Sequence, residues 1–236
     1  FATLLIATLL GFPLNQAASI GIIGAADGPT SIFVANKFAK ELLGPISVAA
    51  YSYMSLVPMI QPPVIRALTT RKERMIRMPY KPENVSKRVK LLFPIIVTLI
   101  SGIIAPQSVA LIGFLMFGNF MRECGVVERL SKSAQNEMVN VVTIILGLTI
   151  GATMQANVFV QWSTIVIIAL GLVAFIFDTA GGVIFVKILN LFIKQKINPL
   201  VGAAGISAFP MSARVMQKMA QKEDPSNFIL MQAIGS

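Results

Sequence analysis

Asp27 is the residue whose type and position point most directly to chemistry. The segments on either side of it consist of small and apolar residues, so its carboxylate lies in a hydrophobic stretch. An ionised carboxylate at membrane depth costs at least about 2.5 kcal/mol, and such residues usually bind a cation, carry a proton, or do both. The other interpretation is a structural ion pair with a basic residue on another helix. We favour the functional interpretation.

Two apolar stretches are interrupted in a similar way, at Gly21–Phe33 and at Asn198–Pro210. Each contains a Gly-Ala-Ala run followed by a proline, and aligning the two runs puts Asp27 against Gly205. Non-helical backbone at membrane depth must be buried in protein or line a wet cavity. Paired broken segments therefore predict a transport site near the bilayer midplane, whose carbonyls and hydroxyls would suit Na⁺. The alternative is that the glycines only allow close helix packing.

Four further side chains are candidates for chemistry. Asp178 follows an apolar run that ends at Phe177, and we interpret it as a helix-boundary residue near water. Tyr51 and Tyr53 lie inside an uncharged stretch, where a buried phenol can donate to a carboxylate or relay a proton. Arg214 follows the second interrupted segment, and its sequence position fits either a cytoplasmic anchor or a contact with an anion.

The elements that must position these residues are membrane helices. Of the 236 residues, 55% are hydrophobic and 13% are charged, whereas about a quarter are charged in a typical soluble domain. Residues 42–65 and 91–121 carry no charge, and roughly 20 helical residues cross a bilayer core. We therefore predict an all-α, polytopic membrane helix bundle with paired discontinuous, re-entrant segments and an inverted repeat. Residues 1–236 would form a single transmembrane domain.

The basic residues indicate orientation. Residues 66–90 hold nine basic and two acidic residues. Such a run can bind nucleic acid, but between two spanning segments it is typical of a cytoplasmic loop. We predict such a loop, no nucleic-acid partner and a multi-pass topology. Residues 122–140 would be a helical connection or an interfacial amphipathic helix.

Several classes of chemistry are excluded by composition. The chain has no histidine, so imidazole cannot serve as base or ligand. Cys124 is its only cysteine, which rules out an intrachain disulfide and a thiolate metal cage. It has no G-x-x-x-x-G-K-[ST] loop, so we do not expect an ATP-driven pump. Both ends fall inside apolar runs, and we expect the sequence to be cut from a longer chain.

Four strings, in order, cover nearly the whole sequence. They are GIIGAADGPTSIFVANKFA at 21–39, AYSYMSLVPMIQPPVIRAL at 50–68, FGNFMRECGVVERL at 117–130 and INPLVGAAGISAFPMSARV at 197–215. Together they resemble the β subunit of sodium-translocating biotin-dependent decarboxylases, the oxaloacetate, methylmalonyl-CoA and glutaconyl-CoA decarboxylase complexes. Where the family often has Gly-Gly-Ala-Asp, this chain has Gly-Ala-Ala-Asp, and the added alanine restricts the backbone slightly.

The resemblance implies a translocating enzyme of the cell inner membrane. In that family a soluble α subunit moves a carboxyl group onto biotin. The β subunit then decarboxylates carboxybiotin, consumes a proton and exports Na⁺, and a small γ subunit joins the two. The implied partners are thus the α and γ subunits, membrane lipid and further copies of the chain. The residues tied to Na⁺ and proton movement fall here on Asp27, Tyr53, Asn198, Gly202, Ser207 and Arg214.

The residues and the family resemblance together predict a mechanism with two sites. Asp27 would bind Na⁺ with oxygens of Asn198 and Ser207 and carbonyls of the interrupted segments, including that of Gly202. Tyr53 and Arg214 would form a second site, where Arg214 attracts the carboxyl group of carboxybiotin. Asp27, Tyr53 and Arg214 are thus the expected catalytic residues.

Two other functions remain open from the residues alone. A Na⁺-coupled secondary transporter without a catalytic role fits the broken segments and the intramembrane acid equally well. A purely structural membrane subunit is the third possibility, although it leaves Asp27 unexplained. Na⁺-dependent release of CO₂ from carboxybiotin would distinguish the decarboxylase from the secondary transporter.

Overall fold

The computed structural model describes residues 1–78, 85–154 and 160–235, apart from the side chains of Thr153 and Phe209. Every regular element in these residues is helical, which confirms the predicted all-α class. Short 3₁₀ turns lie at Ile22–Ala25, Lys40–Leu42 and Pro106–Ser108, and a π turn lies at Ala134–Met138. The α-helices are α1 (Ala2–Leu9), α2 (Leu14–Gly21), α3 (Gly28–Phe38), α4 (Leu43–Leu68), α5 (Arg71–Arg74), α6 (Lys87–Ile104), α7 (Val109–Cys124), α8 (Glu128–Ser133), α9 (Val139–Thr153), α10 (Trp162–Phe192), α11 (Pro199–Ala203), α12 (Phe209–Glu223) and α13 (Leu230–Ile234).

In the part of the chain that the structure describes, two helices are long and apolar enough to cross a membrane. One is α4, which forms a single 29-residue segment with the preceding 3₁₀ turn, and the other is α10, with 31 residues. Three prolines lie inside α4, at positions 58, 62 and 63. A proline removes the hydrogen bond to the carbonyl four residues earlier, so α4 carries backbone acceptors that its own ladder does not satisfy. The larger number of passes expected from the sequence stays a prediction.

The chain divides into two compact units. The first comprises Phe1–Tyr80 and Thr153–Ser236, and the second comprises Lys81–Ala152. In the second unit, α6 and α7 form an antiparallel pair with large exposed apolar side chains such as Leu99, Ile103 and Phe114. Exposed apolar surface of this extent is typical of contact with lipid or with other protein.

The first unit is organised around α10. This helix packs against α4, against α11 and against the 3₁₀ turn that precedes α3. One core cluster contains the fully buried side chains of Ile20, Ile46 and Ile167, and another contains Ile65 and Leu200. The candidate site residues all lie in this unit.

Asp178 lies in the middle of α10, so the prediction that it marks a helix boundary is wrong. The helix continues through Thr179 to Phe192 with Asp178 on its exposed face. One charged residue does not stop a helix whose later residues, from Val183 onward, again bury apolar side chains. The predicted basic loop also begins later than expected, because α4 extends to Leu68; residues 79–84 of that loop lie outside the described part of the chain.

Candidate functional site

Asp27 caps the amino terminus of α3. One oxygen of its carboxylate accepts a hydrogen bond from the Thr30 backbone amide at 3.0 Å, and the other accepts one from the Thr30 hydroxyl at 2.6 Å. An ionised carboxylate offers about four acceptor sites, so two remain after these bonds. The carboxylate is half-buried, and no basic side chain in the described residues forms an ion pair with it. Two acceptor positions of the carboxylate are therefore open to a cation.

The backbone before Asp27 leaves the helical path because of Ala26. Ala26 has φ of +52°, in the left-handed region, and ends the 3₁₀ turn at Ile22–Ala25. This conformation costs an alanine roughly 1–2 kcal/mol. The buried Ala26 side chain belongs to the cluster around Phe175 and Val57, so tertiary packing holds the turn.

Tyr51 approaches the start of α3 at Gly28. A methyl group built on Gly28 would lie 2.5 Å from the tyrosine ring, so only glycine admits the ring there. The ring therefore packs beside the residue that follows Asp27. Both Tyr51 and Tyr53 are candidates from the sequence, and the family resemblance assigns only Tyr53 to the site. The contact between Tyr51 and Gly28 depends on the packing of α3 against α4, which residue spacing does not predict.

Tyr53 points to a different helix. Its side chain is 5% exposed, its ring packs against Gly171, and its hydroxyl donates a hydrogen bond to the carbonyl of Ile168 in α10. Tyr53 thus ties α4 to α10 within the first unit.

The second interruption is also capped by a polar residue, Asn198, at the start of α11. Its side-chain oxygen accepts a hydrogen bond from the Leu200 amide at 3.0 Å. Its side-chain nitrogen donates to the carbonyls of Arg74 and Ile76, both at 2.9 Å. Asn198 is 0% exposed. Its polar atoms are thus committed to backbone partners.

The two interruptions meet through their backbones. The amide of Ser207 donates to the carbonyl of Ala25 at 3.1 Å, which joins the loop between α11 and α12 to the turn before Asp27. Through this contact Ser207, one of the predicted site residues, lies beside the segment that contains Asp27. The Ser207 side chain is exposed.

Gly202 contacts α10 at Gly182. A methyl group on either glycine would lie 2.2 Å from the carbonyl oxygen of the other, so the two backbones touch directly. The first interruption contacts the same helix at Ala174, which faces Gly24. Positions 174 and 182 are separated by about 12 Å along a helix with 1.5 Å rise per residue. Gly202 therefore contacts α10 well away from the point that the first interruption contacts.

A buried amide and hydroxyl that the sequence did not single out hold the end of α11. Gln61 of α4 donates to the carbonyl of Ala203 at 3.0 Å, and it accepts from the hydroxyl of Ser212 at 2.8 Å. Gln61 and Ser212 are fully buried. The only sequence signal for Gln61 is a polar residue between prolines in an apolar helix, which does not name its partners.

Two buried hydroxyls have no hydrogen-bond partner among the described residues. They belong to Ser31, one turn into α3 from Asp27, and to Thr179 of α10. Thr179 lies between the positions where α10 contacts Gly24 and Gly202. An unpaired buried hydroxyl is costly, and its oxygen is available to a ligand.

Arg214 lies on the exposed face of α12, in the second turn. It lines a groove of about 400 Å³ between α4 and α12, together with Pro58, Pro62 and Met211. The described contacts do not link Arg214 to Asp27 or to Tyr53 directly.

Ion pairs hold the segment after α4 against the end of α12. Arg74 binds Glu223 at 2.8 Å, and Arg77 binds Asp224 at 2.7 Å. The hydrogen bond from Arg77, assisted by Ser226, lowers the pKa of Asp224 from 3.8 to about 2. We call these residues together with Asn198 the clasp, because Asn198 bonds the backbone of the same segment. The basic loop is thus partly neutralised where the structure describes it.

Comparison with known proteins finds one family over the whole chain. A family model described as the Na⁺-transporting oxaloacetate decarboxylase beta subunit matches residues 1–236. The chain is 55% identical over 227 residues to the oxaloacetate decarboxylase beta chain 2 of Salmonella typhi, which covers 96% of this chain and 52% of that protein. It is 54% identical over 224 residues to the methylmalonyl-CoA decarboxylase subunit beta of Propionigenium modestum, covering 95% of this chain and 56% of that protein. It therefore spans about half the length of the curated relatives that it matches.

Proposed function

Because this chain belongs to the family of Na⁺-transporting oxaloacetate decarboxylase beta subunits, we propose that it forms the part of a membrane decarboxylase that couples loss of CO₂ to Na⁺ export. The resemblance predicted from four sequence strings is confirmed by the family match. The substrate is carboxybiotin delivered by a partner subunit, and the transported ion is Na⁺. A proton is taken up in the same cycle.

The observation that carries the proposal is the open carboxylate of Asp27 at a broken helix. Na⁺ prefers oxygen ligands, and the carboxyl group of Asp27 has two free acceptor positions. The exposed hydroxyl of Ser207 is on the segment bonded to Ala25, and the hydroxyl of Ser31 lacks a partner in the described residues. We assign the ion site to Asp27 and Ser207 with carbonyls of the interrupted segments, and add Ser31 as a further oxygen.

Three predicted site residues take supporting roles in this proposal. Asn198 and Tyr53 commit their polar atoms to backbone carbonyls or amides, so they fix the second interruption and α10 rather than offer free ligands. Gly202 permits backbone contact with α10. A shift of α10 would change the ion site and the second interruption together, and this is how we propose that ion release is linked to the chemistry.

Decarboxylation needs an anion-binding group and a proton. The C–N bond of carboxybiotin breaks, CO₂ leaves, and the ring nitrogen takes the proton. Arg214 would hold the carboxylate before the bond breaks, because a guanidinium matches a carboxylate in charge and shape. Asp27 releases Na⁺ outward and takes up a proton in exchange, and this is the proton that the ring nitrogen receives. Tyr51, whose ring lies beside Gly28, is an additional candidate for passing that proton.

The proposed setting is the cell inner membrane, with several passes and re-entrant segments related by an inverted repeat. The two long apolar helices support membrane insertion. The proposed partners are a biotin-carrying α subunit, a small γ subunit and further copies of this chain. The exposed apolar faces of α6 and α7 leave surface for such contacts.

The deciding experiment measures CO₂ release from protein-bound carboxybiotin by the assembled complex in sealed vesicles. We expect release to depend on Na⁺ and to be accompanied by Na⁺ movement. A Na⁺-coupled secondary transporter would move Na⁺ without Na⁺-dependent CO₂ release, and that result would overturn the proposal.

A further inference from the structure

The groove between α4 and α12 is lined by a set of basic residues. Its walls carry four basic residues over an apolar floor, with a volume of about 400 Å³. In the part of the chain that the structure describes, none of the four has a carboxylate within salt-bridge distance. The four are Arg66, Arg214, Lys218 and Lys222, and the floor is formed by Pro58, Pro62, Met211, Val215 and Met219.

The neighbouring carboxylates are already used. Glu223 follows Lys222 directly in sequence, but its oxygens bind Arg74 at 2.8 Å and Arg71 at 3.3 Å. Asp224 binds Arg77. Among the described residues, Glu223 and Asp224 therefore pair with Arg71, Arg74 and Arg77, and no carboxylate pairs with the basic residues of the groove.

The cations of α12 form a line. Arg214, Lys218 and Lys222 are four residues apart, so they stack on one helix face over about 12 Å. Like charges at this spacing repel by roughly 0.2–0.5 kcal/mol per pair. Such an arrangement is kept at a cost to helix stability, and it provides a continuous positive surface for an anion.

The row of cations on α12 runs from the clasp towards the proposed ion site. Lys222 and Arg66 lie in the last turns of α12 and α4, beside the ion pairs of Glu223. At the other end of the groove, α12 begins two residues after Ser207, whose amide bonds Ala25. Arg214 is thus the innermost of the three cations on α12 and the closest in sequence to the joined interruptions.

We propose that this groove receives the carboxylated biotin arm, with Arg66, Lys218 and Lys222 guiding its carboxylate inward to Arg214. The inference rests on the proposed decarboxylase function and deepens it. Carboxybiotin combines a negatively charged group with an apolar ring and chain on a long tether, which matches cations above a floor of proline, methionine and valine. An anionic lipid headgroup shares the charge, so the test must separate the two.

The test uses the assembled complex reconstituted in neutral lipid, with the carboxylated carrier domain as the varied substrate. In the double variant Lys218→Gln/Lys222→Gln, the KM for the carrier should rise about five- to tenfold, the equivalent of about 1 kcal/mol. Turnover at saturating carrier and the apparent Na⁺ affinity should change by less than about twofold on the same energetic argument. The rise in KM should shrink as salt increases, because salt screens exposed charges.

The matched control is Lys194→Gln, which removes an exposed cation in the same unit but outside the groove. An unchanged KM in the double variant, or an equal rise in the control, would overturn the inference. A KM effect seen only with anionic vesicles would assign the groove to lipid instead. If the unmodified complex shows no Na⁺-dependent CO₂ release, the proposed function itself fails, which is a distinct result.

Discussion

The two helix interruptions use the same local device for different ends. Asp27 and Asn198 both cap a helix whose first turn contains a proline, and both accept a hydrogen bond from a backbone amide in that turn. Asp27 is half-buried, and its carboxylate keeps acceptor positions that no described residue occupies. Asn198 is fully buried, and its donors reach the carbonyls of Arg74 and Ile76. One interruption is therefore open to a ligand, whereas the other is closed by the protein.

The largest effect should come from making the open cap resemble the closed one. Asn caps a helix as well as Asp does, so Asp27→Asn should leave α3 and membrane assembly intact. It removes the charge, and we expect Na⁺-dependent CO₂ release by the complex to fall by at least about 100-fold, because even outer partners of a metal ligand are worth about 10–100-fold.

The control for that change is Glu41→Gln, which removes an exposed carboxylate in the same unit. Its activity should remain within about twofold of the unmodified complex, since exposed charges contribute little. Full activity in Asp27→Asn would remove Asp27 from the ion site.

The reverse exchange should act on stability. Asn198→Asp replaces two donated hydrogen bonds by a buried carboxylate facing two carbonyls. Each buried group left unpaired costs about 1–3 kcal/mol, so the free energy of unfolding should fall by at least about 2 kcal/mol. The midpoint of thermal unfolding in detergent measures this loss. Asn36→Asp, at an exposed position of α3, should leave the midpoint unchanged.

A third change tests whether the second interruption needs its contact with α10. In Gly182→Ala the new methyl group would lie 2.2 Å from the Gly202 carbonyl oxygen, which is backbone and cannot rotate away. Overpacking of this kind costs about 1–3 kcal/mol. The adjacent Gly181→Ala meets no described atom within 4 Å. If both variants unfold at the same temperature, the close contact of α10 with Gly202 is not important for stability.

The smallest effect should come from acid. The pKa of Asp224 is lowered to about 2 by Arg77, so its stabilising interaction is complete above pH 3.8 and is lost as the pH falls through about 2. In Asp224→Asn that interaction is missing at every pH. The difference in thermal midpoint between the two proteins should therefore shrink between pH 4 and pH 2. A constant difference would show that the ion pair does not stabilise the clasp.

The open interruption was the easier one to predict from sequence. An acid among small and apolar residues, followed by Gly-Pro, is a local pattern, and Asp27 is indeed the cap of a broken helix. The role of Asn198 depends on Arg74 and Ile76, more than 120 residues earlier in the chain. Local patterns do not contain such pairings. The roles of Gln61 and Ser212 could not be predicted for the same reason.

The error at Asp178 has a different physical origin. The apolar run stops at that residue, and the prediction equates the end of the run with the end of the helix. Helix propagation continues through a single acid when later residues pack well, as Val183 and Val186 do. The membrane character and the family were predictable because they depend on composition and long strings rather than on one residue.

Ala26 determines how often the segment before Asp27 adopts its observed turn. A left-handed alanine costs roughly 1–2 kcal/mol, and a free energy of 1.4 kcal/mol corresponds to a tenfold ratio of states. The isolated segment would therefore adopt this turn only rarely, and neighbouring side chains supply the remainder. A glycine at position 26 would remove the penalty, and it would also multiply the shapes available to the segment when no ion is bound. We expect Ala26 to keep those shapes few, so that binding an ion needs little additional ordering.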